Sequence, residues 1–344
     1  MRILIVTQKV DIKDPVLGFF HRWIIEFAAG FDFLTVVCLQ KGEYRLPENV
    51  KIFSLGKEER QSRLRYILNF YKYTWRERKN YDAVFVHMNQ EYALLGGLMW
   101  KLLGKKIFLW RNHPNGNFLT KLAVCLAKKV FCTSQYSYTA RFKKTKIMPV
   151  GVDAAFFRKN AASDKKRNSL LFFGRVSPVK KVEIFIEACR LLKERGVNFS
   201  ADIVGDPPPS GHSYYDKMRG LVEETGLSPL VTFKPAILND EAPNLYNQYD
   251  IYVNATPTGS FDKTILEALA CETLIVASNR ALRGLVDGQF IFTEGVSSHL
   301  ADKLSAILHW SEAKKMSEGV LGREKVKTTH DLALLVKNIT EEIS

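Results

Sequence analysis

The sequence is poor in cysteine and shows no pattern among the five it has. Cys38, Cys125, Cys132, Cys189 and Cys271 each lie inside an apolar segment, with no C-x-x-C pair and no histidine at ligand spacing. A zinc ribbon and a dithiol redox motif are thereby excluded, and buried small hydrophobes without disulfides are expected. Long apolar runs are also missing. Nothing approaches the ~18 consecutive apolar residues of a membrane span. The opening MRILIVTQKVD has only the short run ILIV, where a signal peptide needs about 7 to 15 apolar residues. ILIV therefore reads as a first buried strand, and a cytoplasmic location is expected, with a peripheral position at the inner face of the plasma membrane as a variant. No G-x-G-x-x-G follows that strand, which disfavours a nicotinamide enzyme. No Asp-x-Asp ligand set is present, so neither a metal nor another cofactor is expected. Repeats, RNP, helix-turn-helix and zinc signatures are absent as well.

Acidic residues are scarce in one half only. The net charge is +14, and residues 1–150 carry 26 Lys and Arg against 11 Asp and Glu, leaving 24 against 25 for the remainder. A basic half joined to a neutral one implies that the first half faces something anionic, whether nucleic acid, an anionic lipid surface or a phosphorylated carrier.

What is present is an alternation of strands and helices. RILIV, FLTVVCL, VKIFSL, AVFVH, KIFLW, KVFCTS and TKIMPV are strand-like runs in the first half; SLLFFG, ADIVG, VTFKP, IYVNA, LIVAS and FIFT follow in the second. Runs apolar on both faces with helices between them predict parallel sheets buried between helix layers. The segment KKVEIFIEACRLLKERG reads as an amphipathic helix closed by Gly196. The polar stretch 158–169 lacks periodicity and reads as a linker. The expected domains are 1–155 and 168–322, with 323–344 a C-terminal helix packing back on the first domain. Two such domains would leave a cleft between the carboxyl ends of their sheets, so functional residues are sought at strand ends.

Two segments carry the chemistry. In LLFFGRVSPVKK a buried strand ends at Gly174, and Arg175 and Lys180 follow across a turn that enters a helix. Two cations at a strand end beside a helix start suit a diphosphate; a solvated basic turn is the alternative. In TPTGSFDKTILEALACETLIVAS a Gly-Ser turn, Gly259 and Ser260, leads into a helix whose start holds Asp262, Lys263 and Thr264. Its amides form a second anion cradle with Ser260 as the cap. Glu267 lies deeper, in apolar surroundings, where a carboxylate requires a partner. Ribose hydroxyls would serve, and a structural salt bridge is the alternative.

These segments resemble the retaining glycosyltransferases of family 4, the glycosyl transferases group 1. The motif G-R-x-x-x-x-K matches Gly174, Arg175 and Lys180; I-V-G-D matches Ile203 to Asp206, including Gly205; N-G-V-D matches Val150 to Asp153 in part; E-A-L-A-C-G matches residues 267–272 up to Glu272. The resemblance implies the GT-B fold, two facing Rossmann-like doubly wound domains with an interdomain cleft. It implies transfer of a sugar from a nucleotide sugar, UDP by family habit, to a glycan or lipid-linked acceptor, without metal and with retention. Arg175 and Lys180 would hold the donor diphosphate, and Glu267 would be the second glutamate of E-x7-E. The first glutamate is replaced by Gly259, and Asp262 is the nearest carboxylate to substitute for it. Gly18 corresponds to the glycine loop after the first strand, where a backbone comes close to phosphate or acceptor. His113, in WRNHPNG, falls at the family's catalytic loop beside the anomeric carbon.

His21, Arg22 and His87 are acceptor-side candidates, with surface or satisfied loop residues as the alternative. Residues 57–80 interleave Arg and Lys with Tyr66, Phe70, Tyr71, Tyr73 and Trp75, a composition that fits a membrane interface or a packed helix with a solvated cationic face. Two rivals remain, a nucleic-acid-binding protein and a GT-B-shaped sugar-nucleotide epimerase; for the transferase no nucleic-acid partner is expected.

Overall fold

Seven of the apolar runs become one parallel sheet, in which the five inner runs bury both faces and the two edge runs stay partly exposed. The structure, a computed structural model, describes every residue except Ala161 and Ser260. In chain order the first unit contains β1 (Arg2–Val10), α1 (Phe19–Gly30), β2 (Phe33–Lys41), β3 (Val50–Ser54), α2 (Arg63–Arg76), β4 (Ala83–His87), α3 (Gln90–Leu102), β5 (Lys106–Trp110), α4 (Phe118–Leu126), β6 (Lys129–Cys132) and β7 (Thr145–Ile147). The strand order is β3-β2-β1-β4-β5-β6-β7, parallel throughout. Alternate residues of β1 serve opposite cores: Ile3 and Ile5 pack with Trp23 and Phe27 of α1, whereas Leu4 and Val6 pack with Phe70, Trp100 and Val124 of α2, α3 and α4.

The second unit contains β8 (Ser169–Phe173), α5 (Val182–Glu194), β9 (Ser200–Val204), α6 (His212–Glu224), β10 (Val231–Lys234), α7 (Ala242–Asn247), β11 (Ile251–Asn254), α8 (Lys263–Ala270), β12 (Leu274–Ala277), α9 (Ser297–Leu308) and α10 (Glu312–Thr329). Its sheet, β10-β9-β8-β11-β12, is also parallel. On α5 the buried stripe is Val182, Phe185, Ile186, Cys189 and Leu192, and Gly196 ends it at φ 69°, which a glycine adopts at little cost. FIFT does not become a strand. Asp287 caps a single 3-10 turn at residues 288–290, and only one bridge, Ala277 to Ile291, reaches β12.

The boundaries differ from the sequence expectation. The compact units are Met1–Gly151 with Leu332–Ser344, and Val152–Asp331. Residues 158–169 are not a free linker. The amides of Asn160, Lys166 and Asn168 donate to Asn247 Oδ1 (2.9 Å), the Gln248 carbonyl (2.9 Å) and Asp250 Oδ2 (2.6 Å), which fastens them to the second unit. Nor does the chain leave that unit at 323. Arg323 donates to the carbonyls of Phe157 (2.8 Å) and Ala154 (2.9 Å). Gly319 also lets α10 lie against the end of α8, since a Cβ there would stand 2.5 Å from the Glu272 carbonyl oxygen. The segment that returns is α11 (Leu332–Ile343), whose Leu335, Val336 and Ile339 enter the core built by α1. Cys125 is exposed on α4, contrary to expectation, while the other four thiols are buried. Among the described residues no helix is long and apolar enough to cross a membrane.

Candidate functional site

In the second unit the chain runs from β8 outward to β9 and β10, then crosses back to β11. The carboxyl ends of β8 and β11 therefore flank the point where crossovers diverge, the usual ligand position of open parallel sheets. Gly174 ends β8 at φ 134° and Gly205 ends β9 at φ 144°, both in the region that favours glycine. A Cβ on Gly205 would lie 2.1 Å from the Gly174 carbonyl oxygen. The two strand ends are thus locked backbone to backbone, reinforced by Val176 N donating to Asp206 O at 3.1 Å.

Beyond Gly174 the two cations part. Arg175 is exposed, and no ion pair or hydrogen bond from a described residue reaches its guanidinium. Lys180 closes a 3-10 turn, Pro178–Lys180, and folds back so that its ammonium lies 3.9 Å from the position a Gly174 Cβ would occupy. There it forms a hydrogen-bonded ion pair with Asp262.

Asp262 is the hub of this edge. It is the N-cap of α8. Its carboxylate accepts from Asn254 Nδ2 at 2.9 Å, Thr256 Oγ1 at 3.2 Å and Thr264 Oγ1 at 2.8 Å. Burial alone would raise its pKa, but the Lys180 charge and these bonds outweigh burial and hold the carboxyl well below its usual range. Thr264 also meets the Tyr252 hydroxyl at 2.7 Å. This arrangement alters two expectations. Asp262 faces Lys180 and three neighbouring side chains, which makes it an internal counterion. The amide cradle at α8 is partly filled by the chain itself, because Thr264 N and Ile265 N already point to Asp262 at 3.4 and 3.2 Å. Gly259 is buried in the preceding bend and Lys263 is half-buried at the helix start. Ser260, expected as the cap, lies outside the described residues. Glu267 is buried and accepts from the Tyr246 hydroxyl at 3.4 Å; burial, then the Glu267 charge, raises that hydroxyl's pKa well above its ordinary value.

The first-unit candidates are not brought together in the same way. His87 is buried at the end of β4, stacked on Phe20 with ring centroids 3.8 Å apart and bonded to Thr7 Oγ1 at 3.0 Å. His21 is also buried, and its Nε2 accepts from Arg45 N at 3.0 Å; burial, then the Arg22 charge, lowers its pKa. Both are packed histidines: Phe19, Phe20 and Trp23 of α1 close over His87 at the end of β4, and His21 lies on the buried side of α1 itself. Arg22 is half-buried on α1. Gly18 is the buried N-cap of α1 at φ −55°, an ordinary helical value that does not require glycine. His113 is exposed in the loop after β5, its Nδ1 within 2.9 to 3.0 Å of the Asn115 backbone.

Two features escaped the sequence reading. Asn254 and Thr256 organise Asp262, and the polar residues closing the buried strand IYVN were their signal. Arg111, directly after β5, is half-buried; its Nη2 donates to the Asn115 carbonyl at 3.2 Å, while Nε is buried with no partner among the described residues. Burial lowers its pKa, and the Glu91 charge only partly offsets this.

Residues 167–309 match the family model described as Glycosyl transferases group 1. A D-inositol 3-phosphate glycosyltransferase of Frankia alni is 29% identical over 210 residues, 54% of this chain and 50% of that protein. The chain spans about half or less of the length of the curated relatives it matches. Among solved structures, Anabaena HepE in complex with UDP is similar at a TM-score of 0.80 and 20% identity, over 100% of this chain and 99% of that one. Sucrose-phosphate synthase from Thermosynechococcus elongatus gives 0.80 at 15% identity, over 99% and 98%. At such identities the likeness shows the fold, two Rossmann-like parallel-sheet units of the GT-B type.

Proposed function

We propose, from the match of residues 167–309 to the model of the group 1 glycosyl transferases, that the chain transfers a sugar from a nucleoside diphosphate donor to a glycan or lipid-linked acceptor. The observation that carries the reading is the cation pair at the β8 and β11 edge. Arg175 offers an exposed guanidinium with no internal anion, and Lys180 is kept beside Gly174 by Asp262. When the bond from the anomeric carbon to the diphosphate breaks, negative charge grows on phosphate oxygen. The Arg175 guanidinium and the Lys180 ammonium, the latter held in place by Asp262, stabilise that charge where it appears, so the reaction as proposed uses no metal ion.

The acceptor oxygen attacks on the face the diphosphate leaves, which retains configuration, and the acceptor proton passes to the departing phosphate oxygen. Glu267 is assigned to the ribose hydroxyls and His113 to the catalytic loop beside the anomeric carbon. UDP is the proposed nucleotide, supported by the complexes of HepE with UDP and UDP-glucose. The excess of cations in residues 1–150 and the orphaned Nε of Arg111 support an acceptor that carries negative charge.

Calorimetric titration of UDP and UDP-glucose into the intact chain, with and without excess chelator, tests the donor side. Binding that survives chelation and falls at least tenfold in Arg175→Ala is expected. Equal affinity in that variant, or binding that requires Mn2+, would sink the reading. Incubation with UDP-GlcNAc alone separates the epimerase rival, which converts it, from a transferase, which at most hydrolyses it slowly. A nucleic-acid protein would instead bind random DNA with a steep salt dependence and ignore both nucleotides.

A further inference from the structure

The helices α2, α3 and α4 pack against one face of the first unit's sheet, with Phe70, Trp100 and Val124 turned into the core. Their outer faces are apolar too. On α2, Leu64, Leu68, Tyr71 and Trp75 recur at i, i+4, i+7 and i+11 and are all exposed, Leu68 by 53% and Trp75 by 51%. On α3, Leu98 and Leu102 are exposed, and on α4, Phe118 and Leu122. The stripes adjoin. The Tyr71 hydroxyl donates to the Leu95 carbonyl at 2.9 Å, and a Cβ on Gly97 of α3 would stand 2.7 Å from Leu126 of α4. A cavity of about 350 Å³ opens between α2 and α3, lined mainly by apolar and aromatic residues such as Leu55, Phe70 and Leu95, with Arg63, Asn89 and Glu91 also on its wall. Contiguous exposed apolar surface of this kind marks an interaction face.

The charges beside it select the partner. Residues 62–128 hold 12 Lys and Arg against three Asp and Glu. Glu77 is buried against Lys51 and Arg76, and Asp82 pairs with Arg2, which leaves Glu91 as the remaining acid. Arg63, Arg65, Lys72, Lys101 and Lys121 are exposed around the apolar stripes. A second copy of the same face would bring like charges together. An anionic bilayer satisfies both features, taking the leucines and aromatics at the acyl boundary and the cations at the headgroup phosphates.

We propose that the α2 to α4 face of the first unit docks on an anionic membrane, with the groove between α2 and α3 accepting a lipid chain. The sequence suggested a membrane helix through its aromatics, but Phe70 points inward and the contacting residues are mainly the leucines and Trp75. This inference goes beyond the transfer reading and does not rest on it.

Sedimentation of the full chain with vesicles of equal parts phosphatidylglycerol and phosphatidylcholine, against phosphatidylcholine alone, tests it. Binding to the anionic vesicles is expected, together with a blue shift and bromolipid quenching of fluorescence that Trp75→Phe abolishes. The double variant Leu68→Glu, Trp75→Glu should lose at least tenfold in vesicle partition, and Arg63→Glu, Arg65→Glu should lose the preference for phosphatidylglycerol. These positions are exposed, so unchanged circular dichroism and unchanged UDP affinity, read in the same samples, establish that fold and donor site persist. Wild-type partition in the Leu68, Trp75 variant overturns the proposal. So does a wild-type chain that stays in the supernatant, whether as monomer or dimer.

Discussion

The carboxyl ends of β8 and β11 in the second unit and of β1 and β4 in the first occupy equivalent places in two parallel sheets, and the chain fills them with opposite chemistry. The second unit leaves its strand ends bare: Gly174 and Gly205 carry no side chains, Lys180 folds into the space and Asp262 answers it. The first unit covers its ends with Phe19, Phe20 and Trp23, and the polar groups beneath, Thr7 and His87, bond to each other. Topology creates the position, and the few residues after each strand decide whether it is charged and open or aromatic and closed.

The largest effect expected from that difference is on turnover. Arg175→Ala removes an exposed guanidinium that no hydrogen bond or ion pair from a described residue reaches, so stability should stay within about 0.5 kcal/mol. kcat/KM should fall by about 10²- to 10³-fold, as when one charge-stabilising donor is deleted from an active site. Steady-state kinetics beside a thermal melt decides it. A melting drop without a kinetic defect would make Arg175 a structural residue and erase the contrast.

Lys180 should behave differently because it is both structural and electrostatic. Its loss leaves Asp262 largely buried without its cation. Breaking such a pair costs about 3 to 5 kcal/mol when both groups are fully buried. With side-chain exposures of 19% and 13%, a cost of about 2 to 3 kcal/mol is expected for Lys180→Ala. Adding Asp262→Asn should restore most of the stability but not the activity. If the double variant melts as low as the single one, the ion pair is not what holds this edge. Because the folded pKa of Asp262 is depressed, its contribution is present above the unfolded carboxylate range near 4 and lost only as pH falls through the lower folded value.

The strands, and the placing of Gly174, Arg175 and Lys180 just beyond the end of one of them, were legible in the sequence because they depend on local pattern. Runs apolar on both faces name strands of a two-sided sheet, and a glycine directly after such a run names its carboxyl end. What could not be read depended on contacts distant in sequence. The Lys180 to Asp262 pair spans 82 positions. The 158–169 segment is polar like a linker yet bonds to residues 247–250, and the continuity of α10 past residue 323 follows from glycines that fit against α8. His21 and His87 carried no local sign that aromatic side chains or a distant backbone amide would cover them.

Acid sharpens the comparison further, since each unit contains a histidine whose pKa burial lowers. His330, beside Phe261 just before the α8 cap, has its pKa lowered by burial to about 4, and His21 is lowered in the first unit. For a base with a depressed folded pKa, the unfolded chain takes up the proton first. Stability should therefore decline as pH falls from about 6.5 toward 4 and then level off for that group. His330 should account for roughly 2 kcal/mol or less of that decline, because the ring is not fully enclosed. Melting curves of His330→Gln should be flatter across this interval. Equal slopes for variant and parent would remove His330 as a source of the acid response.

The smallest effect is expected at the closed edge, and it is where the comparison is easiest to break. His87→Phe keeps a ring against Phe20 and gives up the bond to Thr7. A single buried hydrogen bond is worth about 1 kcal/mol net, and the abandoned Thr7 hydroxyl adds a comparable desolvation term unless it turns to another acceptor. The melt should thus fall by about 1 to 2 kcal/mol while kcat/KM stays within about twofold, since the imidazole is sealed beneath α1 and its ordinary role is packing. A hundredfold kinetic loss with an unchanged melt would mean that the aromatic cover opens during turnover and that His87 meets the acceptor, so the two edges would then share a functional role.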